Sequence, residues 1–160
     1  MQEQDGNNNG DWMAEALAEA NKARMIDEVP VGAVIVQEGS IIARAHNLRE
    51  SSRSPIAHAE ILAIEHAAKV LGRWRLYDCV MVVSLEPCCM CAGAMIQARM
   101  QGLVYGASDP RHGAAGSVMN IVNNPHLNHR LQAVGGVRRE EAAQFLSDFF
   151  RQRRAVKKSE

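Results

Sequence analysis

A strand-helix-strand unit in the middle of the chain constrains the fold most strongly. Two short apolar runs, residues 79–84 and 102–107, flank a segment with helical features from Cys88 to about Met100. Strands that are joined through a helix run parallel, and parallel sheets are covered by helices on both faces. We therefore expect a sheet that is buried on both sides.

The preceding segments predict an antiparallel hairpin between two helices. Residues 31–36 form a continuous apolar run, residues 38–40 form a turn signal, and residues 41–45 supply the returning strand. The spacing of apolar residues predicts one helix over about residues 11–27 and a second helix that ends at Gly72. An antiparallel hairpin followed by a parallel unit gives a mixed sheet.

The C-terminal part completes a predicted α/β fold of three layers, α/β/α, around a five-stranded mixed sheet. Residues 108–129 are expected to form a long functional loop with one short helix. A fifth strand is predicted at 131–137 and a closing helix from residue 139 to about 155. We expect a disordered polar tail at residues 1–10 and a single domain at residues 11–160, since 160 residues can bury a core without disulfides.

Charge and composition exclude several classes of protein. The formal net charge is zero, which argues against nucleic-acid binding by bulk charge alone, although basic residues crowd residues 138–158. No apolar run is long enough to span a membrane, and no secretory signal is recognised. We expect a cytoplasmic location, where close-set cysteines bind metal or act in catalysis more often than they form disulfides.

Three of the four cysteines lie within four residues, at the start of the predicted third helix. Cys88 and Cys91 are three residues apart, so they share one helix face and could bind one ion. His58 lies at the equivalent place in the second helix and could supply a third ligand. Mixed sulfur and nitrogen ligands suit zinc, and three protein ligands leave a position open for a catalytic water.

Glu60 follows His58 by two residues, a spacing that predicts a place beside the bound water rather than among the ligands. A carboxylate there can carry protons between water and substrate. Two alternatives remain open for Cys88 and Cys91: a redox or disulfide pair, and a structural zinc site, which would need a fourth protein ligand. Elsewhere, Cys79 is expected in the core, and packing is expected to account for Trp74 and Tyr77.

Together, His58-Ala59-Glu60 and Pro87-Cys88-Cys89-Met90-Cys91 resemble the signature of the zinc-dependent nucleobase deaminases. Further blocks at residues 29–34, 45–47, 87–94 and 113–117 look like those of bacterial tRNA-specific adenosine deaminases. The resemblance implies a cytidine deaminase-like fold and the hydrolytic conversion of adenosine to inosine at the anticodon wobble position. It also implies one Zn²⁺ per chain and a homodimer that binds the tRNA anticodon loop.

The resemblance assigns roles to ten residues. It makes His58, Cys88 and Cys91 the zinc ligands and Glu60 the proton shuttle. It implies that Asn47 contacts the base edge, that Val31 forms a wall of the pocket and that Asp109 contacts the neighbouring nucleotide. Phe150 and Arg153 are implied to hold the anticodon loop, and Ala59 is also implied to contact the substrate. The rival function is a zinc deaminase acting on a free base or nucleoside of the guanine or cytosine type.

Overall fold

Five strands form one mixed sheet in the computed structural model, which describes residues 5–159, with side chains described from residue 11. The strands are β1 (Gly32–Gln37), β2 (Ser40–His46), β3 (Cys79–Leu85), β4 (Gly102–Ala107) and β5 (Gln132–Val134). The helices are α1 (Asp5–Met25), α2 (Ala59–Leu71), α3 (Cys89–Gln97) and α4 (Arg139–Ser159). The strand order is β2-β1-β3-β4-β5.

The pairing confirms the predicted mixed sheet. Strand β1 pairs antiparallel with both β2 and β3, whereas β4 pairs parallel with β3 and β5 pairs parallel with β4. Helix α3 joins the parallel pair of β3 and β4. The carboxyl ends of these two strands therefore meet at one edge of the sheet, where ligands of α/β proteins usually bind.

The side chains of β1 show why the sheet needs helices on both faces. Ala33 and Ile35 pack in one hydrophobic cluster with α2 and α3, and Val34 and Val36 pack in a second cluster with α1 and α4. Alternate residues of a strand point to opposite faces, so a continuous apolar strand must be covered twice. The predicted three layers, α/β/α, are confirmed.

Helix α1 lies directly against β1. A Cβ atom added at Gly32 would overlap the carbonyl oxygen of Ala16 in this helix. The absence of a side chain at Gly32 thus allows the two backbones to approach closely. Gly32 also donates its backbone N–H to the Ser84 hydroxyl at 3.1 Å, which links the start of β1 to the end of β3.

Several predicted boundaries are wrong. Helix α1 begins at Asp5 instead of residue 11 and so includes a Gly- and Asn-rich segment whose residues disfavour a helix; extension of a helix that is already formed needs no new nucleus, which offsets part of this cost. Helix α3 ends at Gln97, before Arg99 takes a left-handed backbone with φ of 58°. Residues 1–4 of the predicted tail lie outside the described residues, and the division into tail and single domain stays a prediction.

The C-terminal segments also differ from expectation. Within the described chain, residues 108–131 contain turns and one isolated bridge but no helix. Strand β5 has three residues, fewer than predicted, and all of them are exposed at the sheet edge. Gly72 caps α2 in the left-handed conformation, as predicted.

Trp74 and Tyr77, for which packing was expected to account, lie in the connection between α2 and β3 and are largely exposed. Their exposed fractions are 55% and 62%. Instead of a core, each ring meets a guanidinium: Arg75 lies 4.4 Å from the Trp74 ring centroid and Arg73 lies 4.5 Å from that of Tyr77. These contacts fit cation-π pairs in a surface connection. Cys79 is buried as expected.

Among the helices described here, none combines the length and the apolar character needed to cross a membrane.

Candidate active site

Two helix N-termini bring the predicted metal ligands together. His58 occupies the N-cap of α2 and Cys88 the N-cap of α3, and neither side chain caps its own helix. Ser, Thr, Asp and Asn are the usual N-cap residues because their oxygens accept helix N–H groups. Since His58 and Cys88 leave these groups uncapped, their side chains are free to point at each other.

The distances among the three groups fit a zinc ion. His58 Nδ1 lies 3.7 Å from Cys88 Sγ and 3.5 Å from Cys91 Sγ. A tetrahedral zinc with bonds of about 2.3 Å to sulfur and about 2.0 Å to nitrogen would separate such atoms by about 3.5 Å. Among the described side chains, the group consists of these three residues. The donor set therefore suits zinc, and Cys89, exposed to solvent, lies outside the group.

The pKa values of the two cysteines shift in opposite directions. The Cys91 thiol donates to the Cys88 sulfur, and this bond, together with His58, lowers the pKa of Cys88 to about 3. The same bond and burial raise the pKa of Cys91. The bond to Cys88 also raises the pKa of His58. A bound divalent cation would offset the second thiolate charge, which suits metal ligands.

Glu60 is buried beside this group, with only 4% of its surface exposed. Burial raises the pKa of its carboxyl, because ionisation is unfavourable away from water. The neighbouring Cys88, burial and the charge of Glu60 together raise the pKa of the Cys91 thiol, so Glu60 lies close enough to act on this ligand group. Glu60 also lines the cleft that opens above the site. Burial thus makes the protonated form of this carboxyl more accessible than that of a surface glutamate, which suits a role in proton transfer.

A cleft of about 690 Å³ brings together most of the predicted site residues. Its size is that of a small-molecule binding site. His58, Glu60 and Cys88 line it, whereas Cys91 is buried behind them. The predicted substrate contacts that also line it are Val31, Asn47, Ala59, Asp109 and Phe150.

Asn47 is oriented by its neighbours but keeps bonding capacity. Its Nδ2 donates to the carbonyl of Val29 at 3.3 Å, and its Oδ1 accepts the N–H of Arg49 at 3.1 Å. An amide side chain has two N–H donors and two acceptor lone pairs. One donor and one lone pair therefore remain for a ligand in the cleft.

Arg153 is not brought to the cleft. It donates to the carbonyl of Asp27 at 2.9 Å, and its guanidinium lies 4.8 Å from the ring centroid of Phe149. Phe149 is 3% exposed and fixes the rotation of α4 on the body of the protein. This rotation turns the stripe of Phe149 and Arg153 towards Asp27. A contact between Arg153 and RNA stays a prediction.

The neighbouring stripe of α4 faces the cleft instead. Leu146, Phe150 and Arg154 are spaced by four residues and all line it. Residues four apart share one helix face, so the position of Phe150 could have identified Arg154 from the sequence. Arg49 and Arg111, in loops that follow Asn47 and Asp109, line the cleft as well and were not predicted. The exposed guanidinium groups of Arg49, Arg111 and Arg154 form a basic rim around the cleft.

Comparison with known proteins identifies relatives along nearly the whole chain. A family profile described as MafB19-like deaminase matches residues 7–154. The chain is 50% identical over 148 residues to the tRNA-specific adenosine deaminase of Bacillus subtilis, and the match covers 92% of each protein. At this identity and coverage, the predicted resemblance is confirmed.

Solved structures agree with this assignment. One, from work on A-to-I editing by tRNA:A34 deaminases at the wobble position, matches with a TM-score of 0.82 and 41% identity over 85% of this chain and 99% of that chain. The guanine deaminase from Nitrosomonas europaea matches with a TM-score of 0.77 and 25% identity over 88% of this chain and 83% of that chain. These matches confirm the predicted cytidine deaminase-like fold, and the chain belongs to the deaminase family that includes the tRNA-specific adenosine deaminases.

Proposed function

We propose that this enzyme uses zinc to deaminate adenosine to inosine at the wobble position of a tRNA anticodon. The observation that carries the proposal is the group of His58, Cys88 and Cys91 beside the buried carboxyl of Glu60, in a cleft with a basic rim. The 50% identity to the tRNA-specific adenosine deaminase of Bacillus subtilis supports this substrate.

Zinc is the proposed ion because of the donors and their separations. The donors are two sulfur atoms and one imidazole nitrogen, and the sulfur atoms lie 3.7 and 3.5 Å from that nitrogen. These donors and distances suit tetrahedral zinc. Zinc, when bound, lowers the pKa of a coordinated water towards 7 and so supplies a nucleophile at neutral pH. The protein contributes the two helix termini that hold His58 and Cys88 in facing positions.

Glu60 is the proposed proton carrier. Hydrolytic deamination forms a bond from the water oxygen to C6 of the purine and breaks the bond from C6 to the amino group. One proton of the water moves to the ring nitrogen N1, and the other moves to the amino group, which leaves as ammonia. Burial raises the pKa of the Glu60 carboxyl above that of an ordinary glutamate, which makes its protonated form more accessible and favours its use as a proton carrier. Its position two residues after His58 puts it on the same helix end as a metal ligand.

The proposed base site lies between Val31, Ala59 and Asn47. Val31 and Ala59 supply an apolar wall, and the free donor and lone pair of Asn47 supply a contact to the base edge. Fixed polar groups in an apolar cleft orient a ligand without closing the site. Asp109 also lines the cleft and is the proposed contact to the neighbouring nucleotide.

RNA is the proposed substrate rather than a free base because of the rim. Phe150 is exposed at the cleft and can stack on an unpaired base, and the guanidinium groups of Arg49, Arg111 and Arg154 can bind phosphates. A site for free guanine has no use for three arginine side chains at its entrance. The rim therefore favours the anticodon loop over the free-base alternative.

Deamination of a synthetic anticodon stem-loop tests the proposed function. The zinc-loaded protein should convert adenosine at the first anticodon position to inosine, with a mass increase of about one dalton at that nucleotide. A stem-loop with adenosine moved by one position, free adenosine and free guanine serve as controls. Faster turnover of free guanine than of the stem-loop would contradict the proposal.

We further propose a cytoplasmic homodimer, as the family resemblance implies. Sedimentation equilibrium of the zinc-loaded protein should give twice the mass of the 160-residue chain. A single species at the monomer mass at micromolar concentration would exclude the dimer.

A further inference from the structure

Glu86 is a buried carboxylate in the turn between β3 and the metal-binding end of α3. It is 2% exposed, and its two oxygens accept four hydrogen bonds from a distant segment. The backbone N–H groups of Asp109, Ala115 and Ser117 donate to it at 3.1, 3.0 and 3.1 Å. The hydroxyl of Ser117 is the fourth donor. A carboxylate has about four lone-pair positions, so these four hydrogen bonds occupy all the positions at which Glu86 can accept.

Close packing accompanies these hydrogen bonds. A Cβ atom added at Gly113 would overlap the carboxyl group of Glu86, so the segment can follow its path only with glycine there. Next to this contact, Ala114 donates its backbone N–H to the carbonyl of Pro87 at 2.8 Å. Residues 108–117 are thus attached along their length to Glu86 and Pro87.

This segment depends on the attachment for its position. Residues 108–117 contain no helix or strand and only half of one isolated bridge, Ala115 with Asn120. Their backbone donors would have to find other partners if the carboxylate were removed. Within the segment, Asp109 accepts the N–H groups of Arg111 and His112, at 3.0 and 3.1 Å, and all three residues line the cleft.

We propose that Glu86 is a positioning residue for substrate binding. It holds residues 108–117 so that Asp109 and Arg111 stand at the edge of the cleft, and its neighbour Pro87 leads directly into Cys88. The short turn of Glu86 and Pro87 thereby determines the positions of both Cys88 and the substrate-binding segment. Glu86 acts through the segment, since its own oxygens are occupied. The proposal rests on the proposed function for the identity of the bound substrate.

Glu86→Gln tests the proposal because it keeps the size of the side chain but presents an NH₂ group to backbone donors. In the zinc-loaded protein, we expect hydrogen exchange of the amides of residues 109–117 to become at least tenfold faster. We expect KM for the anticodon stem-loop to rise at least tenfold, with kcat within threefold and the zinc content unchanged.

Three results would overturn the proposal: unchanged exchange in this segment, unchanged KM, or a loss confined to kcat and accompanied by loss of zinc. The last result would assign Glu86 to support of the metal ligands alone. If wild-type protein fails to deaminate the stem-loop, the proposed function fails, and the exchange measurement still decides whether Glu86 holds the segment.

A second variant keeps the proposal testable if Glu86→Gln does not fold. Ser117→Ala removes one donor to the carboxylate from an exposed residue, and should change exchange and KM in the same direction by a smaller factor.

The matched control is Asp78→Asn. This carboxylate also accepts side-chain hydrogen bonds, from Gln37 and Arg73, but it lies at the opposite end of β3. Its replacement should leave KM unchanged and should not speed exchange in residues 109–117 more than in the rest of the protein.

Discussion

Replacement of Glu60 by glutamine should abolish most of the activity while leaving the fold and the metal intact. Three carboxyl groups line the cleft among the described residues: those of Glu60, Glu86 and Asp109. Glu86 is occupied by four hydrogen bonds, and Asp109 accepts two backbone N–H groups. No other carboxyl can therefore take over proton transfer, and we expect the full effect of losing a general acid-base.

The magnitude follows from this lack of a substitute. General acid-base groups contribute about 10²- to 10⁴-fold to rates, so kcat should fall by that factor, which corresponds to about 3 to 5.5 kcal/mol in activation free energy. Stability should not fall, because burial raises the pKa of Glu60 and therefore penalises its charged form, which glutamine lacks. The unfolding midpoint of the ion-free variant should equal or exceed that of the wild type.

Single-turnover deamination of the anticodon stem-loop, together with metal analysis and thermal unfolding, measures these effects. Glu65→Gln is the matched control, since Glu65 lies on the same helix but is exposed. The control should retain wild-type rates. A Glu60→Gln variant that keeps more than a tenth of the wild-type rate would refute the reasoning, as would an equal loss in Glu65→Gln.

Three further predictions concern the rim, the thiols and pH. Arg154→Ala should raise KM for the stem-loop about tenfold and reduce its dependence on salt, whereas Arg151→Ala, on the same helix but outside the cleft, should change KM by less than twofold. In zinc-loaded protein, Cys89 should react with a maleimide within minutes, whereas Cys79, where burial raises the pKa to about 12, should react only after unfolding; equal labelling in the native state would contradict the assigned burial. The hydrogen bonds from Arg73 and Gln37 lower the pKa of Asp78 to about 2 from 3.8, so this carboxylate stabilises the fold above pH 3.8 and loses its effect as the pH falls through 2. Asp78→Asn should therefore be less stable than wild type at pH 7, with a difference in unfolding free energy that shrinks as the pH falls from 3.8 through 2, and chemical unfolding at pH 7 and near pH 2 measures the two differences.

The alternation of apolar runs and helical patterns was sufficient to predict the sheet and its layers. Side chains of β1 had to be buried on both faces, so the order of strands and helices left few arrangements. Boundaries were less accurate where packing, rather than local sequence, decides. Helix α1 extends to Asp5 because its packed part nucleates it, and the expected short helix in residues 108–129 is replaced by turns that Glu86 holds.

The proximity of the three candidate zinc ligands could be predicted because it depends on residue types and on their spacing. His58, Cys88 and Cys91 are side chains that bind zinc, and they lie at the starts of two helices. An ion between those two helix ends is an arrangement that uses all three donors. The rim could not be predicted to the same degree. The choice between Arg153 and Arg154 depends on how far Phe149 rotates α4, which is a property of tertiary packing.

The role of Glu86 is absent from local sequence patterns for a similar reason. Its partners lie 23 to 31 residues away in the chain, and they donate through backbone N–H groups that every residue except proline carries. Only the tertiary structure brings these groups together. Trp74 and Tyr77 are a further example, since the sequence does not show that these rings pack against arginine side chains at the surface.

X-ray absorption at the zinc edge of the purified protein tests the central claim most directly. One imidazole and two thiolates around the ion predict one zinc per chain with two sulfur atoms at about 2.3 Å and lighter ligands at about 2.0 Å. The spectrum should stay the same in Glu60→Gln. A shell of three or four sulfur atoms, or protein that binds no zinc at all, would contradict the account.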